Sequence, residues 1–258
     1  MKDIKIDVLG VILEIAQSIQ YNGKRFNERY LHHYFSHLLQ EKYHLLNLTE
    51  NIWEITFHPE WPTYKQQTGL NFGRYKRKNN KYQPAPSGTA GFIDFAIGNY
   101  DSPDIGIEFS LKYGWSKEEI VFDFLKLLDK KNPFKMSISY KMIIRESELV
   151  KGGALKDLEK HMDEAYQDAV NRLNNNGCDD SREVYLIVTE IDKNNSRRHW
   201  YYDKTRCSFI EGLPFSTQRK HIDLCFGLSI RTNNSFRICM YTKKLYGFFK
   251  SKLFSFIR

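Results

Sequence analysis

Apolar positions along this chain fall into two periods, one helical and one extended. Between residues 5 and 20, Val8, Val11, Ile12, Ile15 and Ile19 share a helical stripe, with Gly23 a suitable stop. A second helix is predicted to begin after Asn27, with Leu31, Phe35, Leu38 and Leu39 facing inward. Residues 52–57 (IWEITF) read as a short strand closed by the turn HPEWP. Residues 62–89 include RYKRKNNKYQPAPSG, whose Lys, Asn, Pro and Gly content predicts a long polar loop. Strands follow near 91–98 and 105–112, joined by NYDSPD. Ser116-Lys117-Glu118-Glu119 has the form of a capping box and opens a helix over 116–131. Residues 135–145 (KMSISYKMIIR) alternate as a strand. Residues 154–175 place Leu155, Leu158, Met162, Ala165, Ala169 and Leu173 in helical register, ended by NNNG at 174–177. The apolar run EVYLIVTEI at 183–191 suits a covered central strand. Beyond Asp192 the chain turns polar and aromatic, and strands are predicted at 222–231 and 235–242. With no internal repeat and no linker, this order predicts one α/β domain over 1–258. Its core covers about residues 25–191, and a β-rich C-terminal elaboration covers about 192–258.

Composition narrows the function classes only a little. The 258 residues are 41% hydrophobic and 27% charged, ordinary values for a soluble globular protein. There is no run of about 18 apolar residues, so no membrane-spanning helix is expected. The start, MKDIKIDVLGVILEI, has Asp7 and Glu14 in and beside its apolar stretch and makes a poor signal peptide. The cysteines at 178, 207, 225 and 239 lack zinc-like spacing, which suits free thiols in a reducing cytoplasm. A net charge of +8 favours an anionic partner without identifying one.

Two carboxylates break the apolar runs of the paired strands, Asp94 in GFIDF and Glu108 in GIEFSLK. Carboxylates are poor strand formers and costly to bury. A two-residue period puts Glu108, Ser110 and Lys112 on one face of their strand and Ile107, Phe109 and Leu111 on the other. A hairpin-like connection then brings Asp94 close to Glu108. Two such carboxylates repel unless a cation lies between them, and Mg²⁺ prefers oxygen ligands of this kind. A neighbouring lysine adds a compact positive charge beside a reacting phosphate, so the group suits metal-assisted phosphodiester hydrolysis.

With these residues in place, the sequence resembles the PD-(D/E)XK nuclease superfamily, whose fold is called restriction-endonuclease-like. The matching segments are Gly91-Phe92-Ile93-Asp94-Phe95, Ile107-Glu108-Phe109-Ser110, and Asp123-Phe124-Leu125-Lys126-Leu127 on the following helix. The resemblance covers roughly residues 25–190. It implies a mixed central sheet flanked by helices, and a metal-dependent nuclease, an endonuclease more than an exonuclease. Asp94, Glu108 and the Phe109 carbonyl would hold Mg²⁺, with Mn²⁺ able to substitute, and Glu28 would add a carboxylate from the first core helix. DNA is the favoured substrate, and a homodimer is compatible with the pattern.

The family's lysine position holds Ser110 here. Two lysines could serve instead. Lys112 lies on the same strand face, about 6–7 Å further along. Lys126 lies on a narrow polar line with Glu119, Asp123 and Lys130, which faces either a groove or the solvent. If neither serves, the chain is a catalytically inactive nucleic-acid-binding or protein-interaction module of the same fold.

Arg74, Lys76, Arg77, Lys78 and Lys81, with Tyr75 and Tyr82 interleaved and no acid among them, are the expected phosphate contacts. RRHWYY at 197–202 is a weaker candidate of the same kind. His33 and His37 have metal-pair spacing but no third ligand, and with His32 they read as surface or packing residues. The tail YTKKLYGFFKSKLFSFIR reads as an element that packs its aromatic face and snorkels its basic residues, with a membrane-surface helix as the alternative.

Overall fold

The computed structural model describes residues 4–21, 26–43, 56–112, 117–145, 153–174, 177–178, 181–203, 206 and 208–214. Helix α1 (Ile4–Ser18) and helix α2 (Glu28–Tyr43) form where the periodicity predicts them. Val8, Val11, Ile12 and Ile15 are wholly buried. Asn27 caps α2, its side-chain oxygen accepting the Tyr30 N–H at 2.9 Å, and Glu28 stands in the first turn, where the helix dipole favours an acid.

Strand β1 (Phe57–Pro62) starts at Phe57, the last residue of the predicted strand, and runs on through HPEWP, the residues expected to form a turn. Its two prolines give the segment the composition of a turn. A strand tolerates proline when it lies at a sheet edge, and β1 is the outermost strand of its sheet. The predicted strand residues 52–55 lie outside the described residues.

The expected long loop is also ordered backbone. It contains β2 (Tyr64–Lys65), β3 (Leu70–Asn71), β4 (Arg74–Lys78), β5 (Lys81–Pro84) and β6 (Thr89–Ala90). β5, β4 and β6 make a three-stranded antiparallel sheet of their own, and β2 pairs with β3. Between β4 and β5 the turn residues Asn79 and Asn80 both have positive φ, 49° and 60°. Two such residues form the tight turn whose twist matches a hairpin. Composition alone hid this, because a cationic hairpin carries the residues of a loop.

The main sheet continues with β7 (Phe92–Asn99), β8 (Ser102–Lys112), β9 (Met136–Arg145), β10 (Glu183–Asp192), β11 (Arg197–Asp203) and β12 (Ser208–Glu211). Helix α3 (Lys117–Leu128) joins β8 to β9, and α4 (Gly153–Arg172) joins β9 to β10. Ser116 of the expected capping box lies outside the described residues. The seven strands run β1-β7-β8-β9-β10-β11-β12. β8, β9 and β10 are parallel, as helical crossovers require, and the outer pairs are antiparallel. The fold is thus α/β with a mixed sheet flanked by helices. The polar and aromatic segment 197–203 is β11, and its Trp200 and Tyr202 are buried.

Neighbouring residues of a strand point to opposite faces, and this sets the layers. Phe109 packs on Phe35 of α2 with ring centroids 4.8 Å apart, and Phe35 also meets Phe95 at 5.2 Å. On the other face Ile120, Val121, Phe124 and Leu125 of α3 join Met162, Ala165 and Ala169 of α4 over Leu186, Val188 and Trp200. Each large apolar side chain buried this way contributes on the order of 1.5–3 kcal/mol. Buried Arg182 donates to the carbonyls of Leu127, Asp129 and Asn132, which fixes the C-terminal end of α3.

At Gly106 a Cβ would lie 2.8 Å from the Phe134 ring. Gly106→Ala is therefore expected to lower stability by about 1–3 kcal/mol through overpacking. Urea unfolding measures it, and an unchanged midpoint would show that Phe134 can move aside.

The chain divides into two units, Met1–Ser216 and Thr217–Arg258. The second lies outside the described residues, and with it the strands predicted at 222–231 and 235–242 and the basic tail. Among the described residues no helix is long and apolar enough to cross a membrane. Cys178 forms no disulfide and is half-buried.

Candidate active site at the end of the β7–β8 ladder

The ladder between β7 and β8 ends with Phe95 opposite Ile107. Asp94 and Glu108 are the next residue on each strand, so the two carboxylates sit where the backbones part. Asp94 Oδ2 accepts the Phe109 N–H at 2.7 Å. Glu108, 2% exposed, has Oε1 2.6 Å from Lys126 Nζ. Lys126 does not face solvent. It is buried, donates to the Phe92 carbonyl at 2.9 Å, and lies 3.3 Å from Asp123 Oδ1. Asp123 and Lys126 are three residues apart on α3 and so share a side of the helix.

A second lysine completes the group. Lys141 of β9, wholly buried, donates from Nζ to Asp123 Oδ2 at 2.7 Å. It pairs in register with Ser110 on β8. An ammonium therefore enters the group from the strand beside Ser110. The sequence did carry a signal for it: Lys141 interrupts an apolar strand just as Asp94 and Glu108 do.

These five groups hold three carboxylates and two ammonium ions, leaving one negative charge in excess. Burial pushes the Glu108 carboxyl well above its ordinary value. Lys126 opposes that, while Asp94 and Asp123 add to it. Asp94 is raised for the same first reason, against the pull of Lys126, the Phe109 N–H and His32. Asp123 goes the other way. Burial would raise it, but Lys141 and Lys126 together prevail and hold it below the usual carboxylate range. Lys126 is likewise raised, because Glu108 and Asp123 outweigh its desolvation.

The remaining expected residues fall at several distances from this group. Glu28 reaches β8 from α2, its Oε2 accepting the Leu111 N–H at 3.2 Å. Phe109 lies beside Asp94 through its amide. Lys112 ends β8, and its side chain lies outside the described residues. His32 packs on Phe95 and Phe109 as a packing residue would, yet its Nε2 also comes within 3.7 Å of Asp94 Oδ2. His33 is exposed, and His37 pairs with Glu41 at 3.2 Å. Arg74, Lys76, Arg77, Lys78 and Lys81 all lie on the β4–β5 hairpin, not in a loop.

No family model, curated protein or solved structure matches this chain. What the site can do must be read from its own groups. Among the described residues no set of three or more His, Cys, Asp or Glu side chains is arranged to hold a metal ion. An ion here would rest on two carboxylates and a carbonyl, with substrate phosphate and water completing its shell. Mg²⁺ commonly binds in that way.

Proposed function

We propose that this chain is a metal-dependent nuclease with a restriction-endonuclease-like domain, hydrolysing phosphodiester bonds of DNA, and an endonuclease in preference to an exonuclease. The observation that carries the reading is the buried Lys126 ammonium 2.6 Å from Glu108, in a group with excess negative charge. The donors fit Mg²⁺ or Mn²⁺. Asp94, Glu108 and the Phe109 carbonyl offer hard oxygens, and the raised carboxyls mark a place where a further cation is favourable. When bound, the metal supplies Lewis-acid stabilisation of charge on the phosphate.

The chain's own residues do the rest. Lys126 is held by Glu108, Asp123 and the Phe92 carbonyl, so its ammonium is fixed before substrate arrives. Fixed charge of this kind stabilises developing charge without reorganisation. Lys141 positions Asp123, and through it Lys126. The Phe109 N–H orients Asp94, and Glu28 holds the far end of β8 against α2.

A second reading has an observation of its own. Ser110 stands at the family's lysine position, and Lys126 already satisfies Glu108 as a structural ion pair would. That arrangement suits a non-catalytic nucleic-acid-binding module. The two readings divide on a measurement that needs no turnover. Mg²⁺ or Mn²⁺ at a hundredfold excess over its Kd should stabilise the nuclease by about 2.7 kcal/mol. The rise in Tm should vanish in Asp94→Asn. A Tm indifferent to both metals, together with no cutting of supercoiled, linear or single-stranded DNA, would leave the binding module.

A further inference from the structure

The β4–β5 hairpin has two unlike faces. Cross-strand neighbours are Tyr75 with Pro84, Lys76 with Gln83, Arg77 with Tyr82, and Lys78 with Lys81. Tyr75, Arg77 and Tyr82 share the inner face. Tyr75 is 2% exposed, Tyr82 stacks on Phe122 of α3 at 3.9 Å, and Arg77 lies over the Tyr82 ring at 5.6 Å. Lys76, Lys78, Lys81 and Gln83 share the outer face, and all four are exposed.

The inner face bolts the hairpin to the helix that carries Lys126. The Tyr82 N–H donates to Glu118, and Arg172 of α4 donates to the Tyr82 carbonyl at 2.9 Å while pairing with Glu118. Asn132 accepts the Gly73 N–H at 2.8 Å and donates to the Lys126 carbonyl at 2.6 Å. At Gly91 a Cβ would meet the Tyr75 ring at 3.0 Å and Lys126 Cγ at 3.1 Å, so the hairpin root and the site lysine both close on Gly91.

The outer face is unfavourable as it stands. Lys78 lies directly opposite Lys81, a like-charge pair that destabilises a hairpin, and no acid occurs between Arg74 and Lys81. A row of cations held at this local cost on a rigid ribbon has its compensation in an anionic partner. The ribbon's dimensions select which one. Two strands about 4.8 Å apart, with side chains, make a body some 10–12 Å across, and the exposed part projects about 10 Å at ~3.3 Å per residue. The major groove of B-form DNA, about 12 Å wide and 8.5 Å deep, admits such a two-stranded ribbon. The deep, narrow major groove of an RNA duplex does not. Single strands are held by stacking on aromatic rings, and both tyrosines here are turned inward against α3.

We propose that the β4–β5 ribbon enters the major groove of B-form DNA, so that double-stranded DNA is the substrate class of the neighbouring site. The assignment of a substrate, as distinct from a ligand, rests on the nuclease reading. Lys76, Lys78 and Lys81 contact the phosphates flanking the groove.

The test is metal-free binding in EDTA by fluorescence anisotropy. The probes are a labelled 30-base-pair DNA duplex, its single strand, an RNA duplex of the same sequence, and the DNA duplex carrying glucosylated hydroxymethylcytosine in its major groove. The expected result is duplex DNA bound at least tenfold more tightly than each of the other three. In Lys76→Ser/Lys78→Ser/Lys81→Ser, with wild-type circular dichroism and Tm, the slope of log Kd against log salt should fall by about one to three. Equal affinity for single strands or RNA, indifference to glucosylation, or an unchanged salt slope would each overturn the proposal. Duplex preference without any cutting would overturn the nuclease reading and leave the ribbon standing. Cutting without duplex preference would do the reverse.

Discussion

Lys126→Met is expected to lower stability by about 3–5 kcal/mol, because it removes the cation shared by the buried Glu108 and the partly buried Asp123. Three acids would then face the single ammonium of Lys141. The loss should depend on pH in a definite sense. Without Lys126 the Glu108 carboxyl is raised further, so the folded state holds its proton over a wider range than the unfolded chain does. Stability then declines as pH rises above the ordinary carboxylate value, and the variant should be closer to wild type at pH 5 than at pH 8. Adding Glu108→Gln should restore most of the stability and none of the cutting. Urea unfolding of both variants at the two pH values tests this. A Lys126→Met protein as stable as wild type at pH 8 would mean that solvent or backbone already satisfies Glu108.

Glu108→Gln alone is expected to reduce metal-dependent cleavage by about a thousandfold or more, since several kcal/mol of charge stabilisation depends on holding the metal. Its effect on stability should be small, or favourable near neutral pH. Removing one acid brings the group into balance, two carboxylates against two ammonium ions. The pH profile gives the sign. Glu108 and Asp94 are raised in the folded state, so each takes away stability as pH climbs through and beyond the usual carboxylate range. Asp123 is lowered, so its contribution is present above its ordinary value and lost as pH falls below it. Glu108→Gln should therefore flatten the decline toward neutral pH and leave the acid limb, which belongs to Asp123, in place. A variant that unfolds more readily at pH 8 than wild type would show that the ion pair outweighs the desolvation of Glu108. Full activity in that variant would remove Glu108 from the site.

The sequence by itself determined the helices and the interior strands, because those elements bury one face and must write that face into their spacing. It also marked Asp94 and Glu108, since a carboxylate in an apolar strand is a local inconsistency that asks for a reason. Three features were beyond it. The ordered hairpin at residues 74–84 was hidden because its outer face is cationic and its inner tyrosines are spaced by lysines and arginine, a composition shared with loops. β1 was hidden because prolines are acceptable only at an edge, and a strand is an edge only once the sheet order exists. The burial of Lys126 and the arrival of Lys141 were decided by the parallel register of β8 and β9 and by the seating of α3 across them. A lysine on a helix reads as solvent-facing until the tertiary structure sets two carboxylates around it, for no local rule weighs desolvation against partners many residues away.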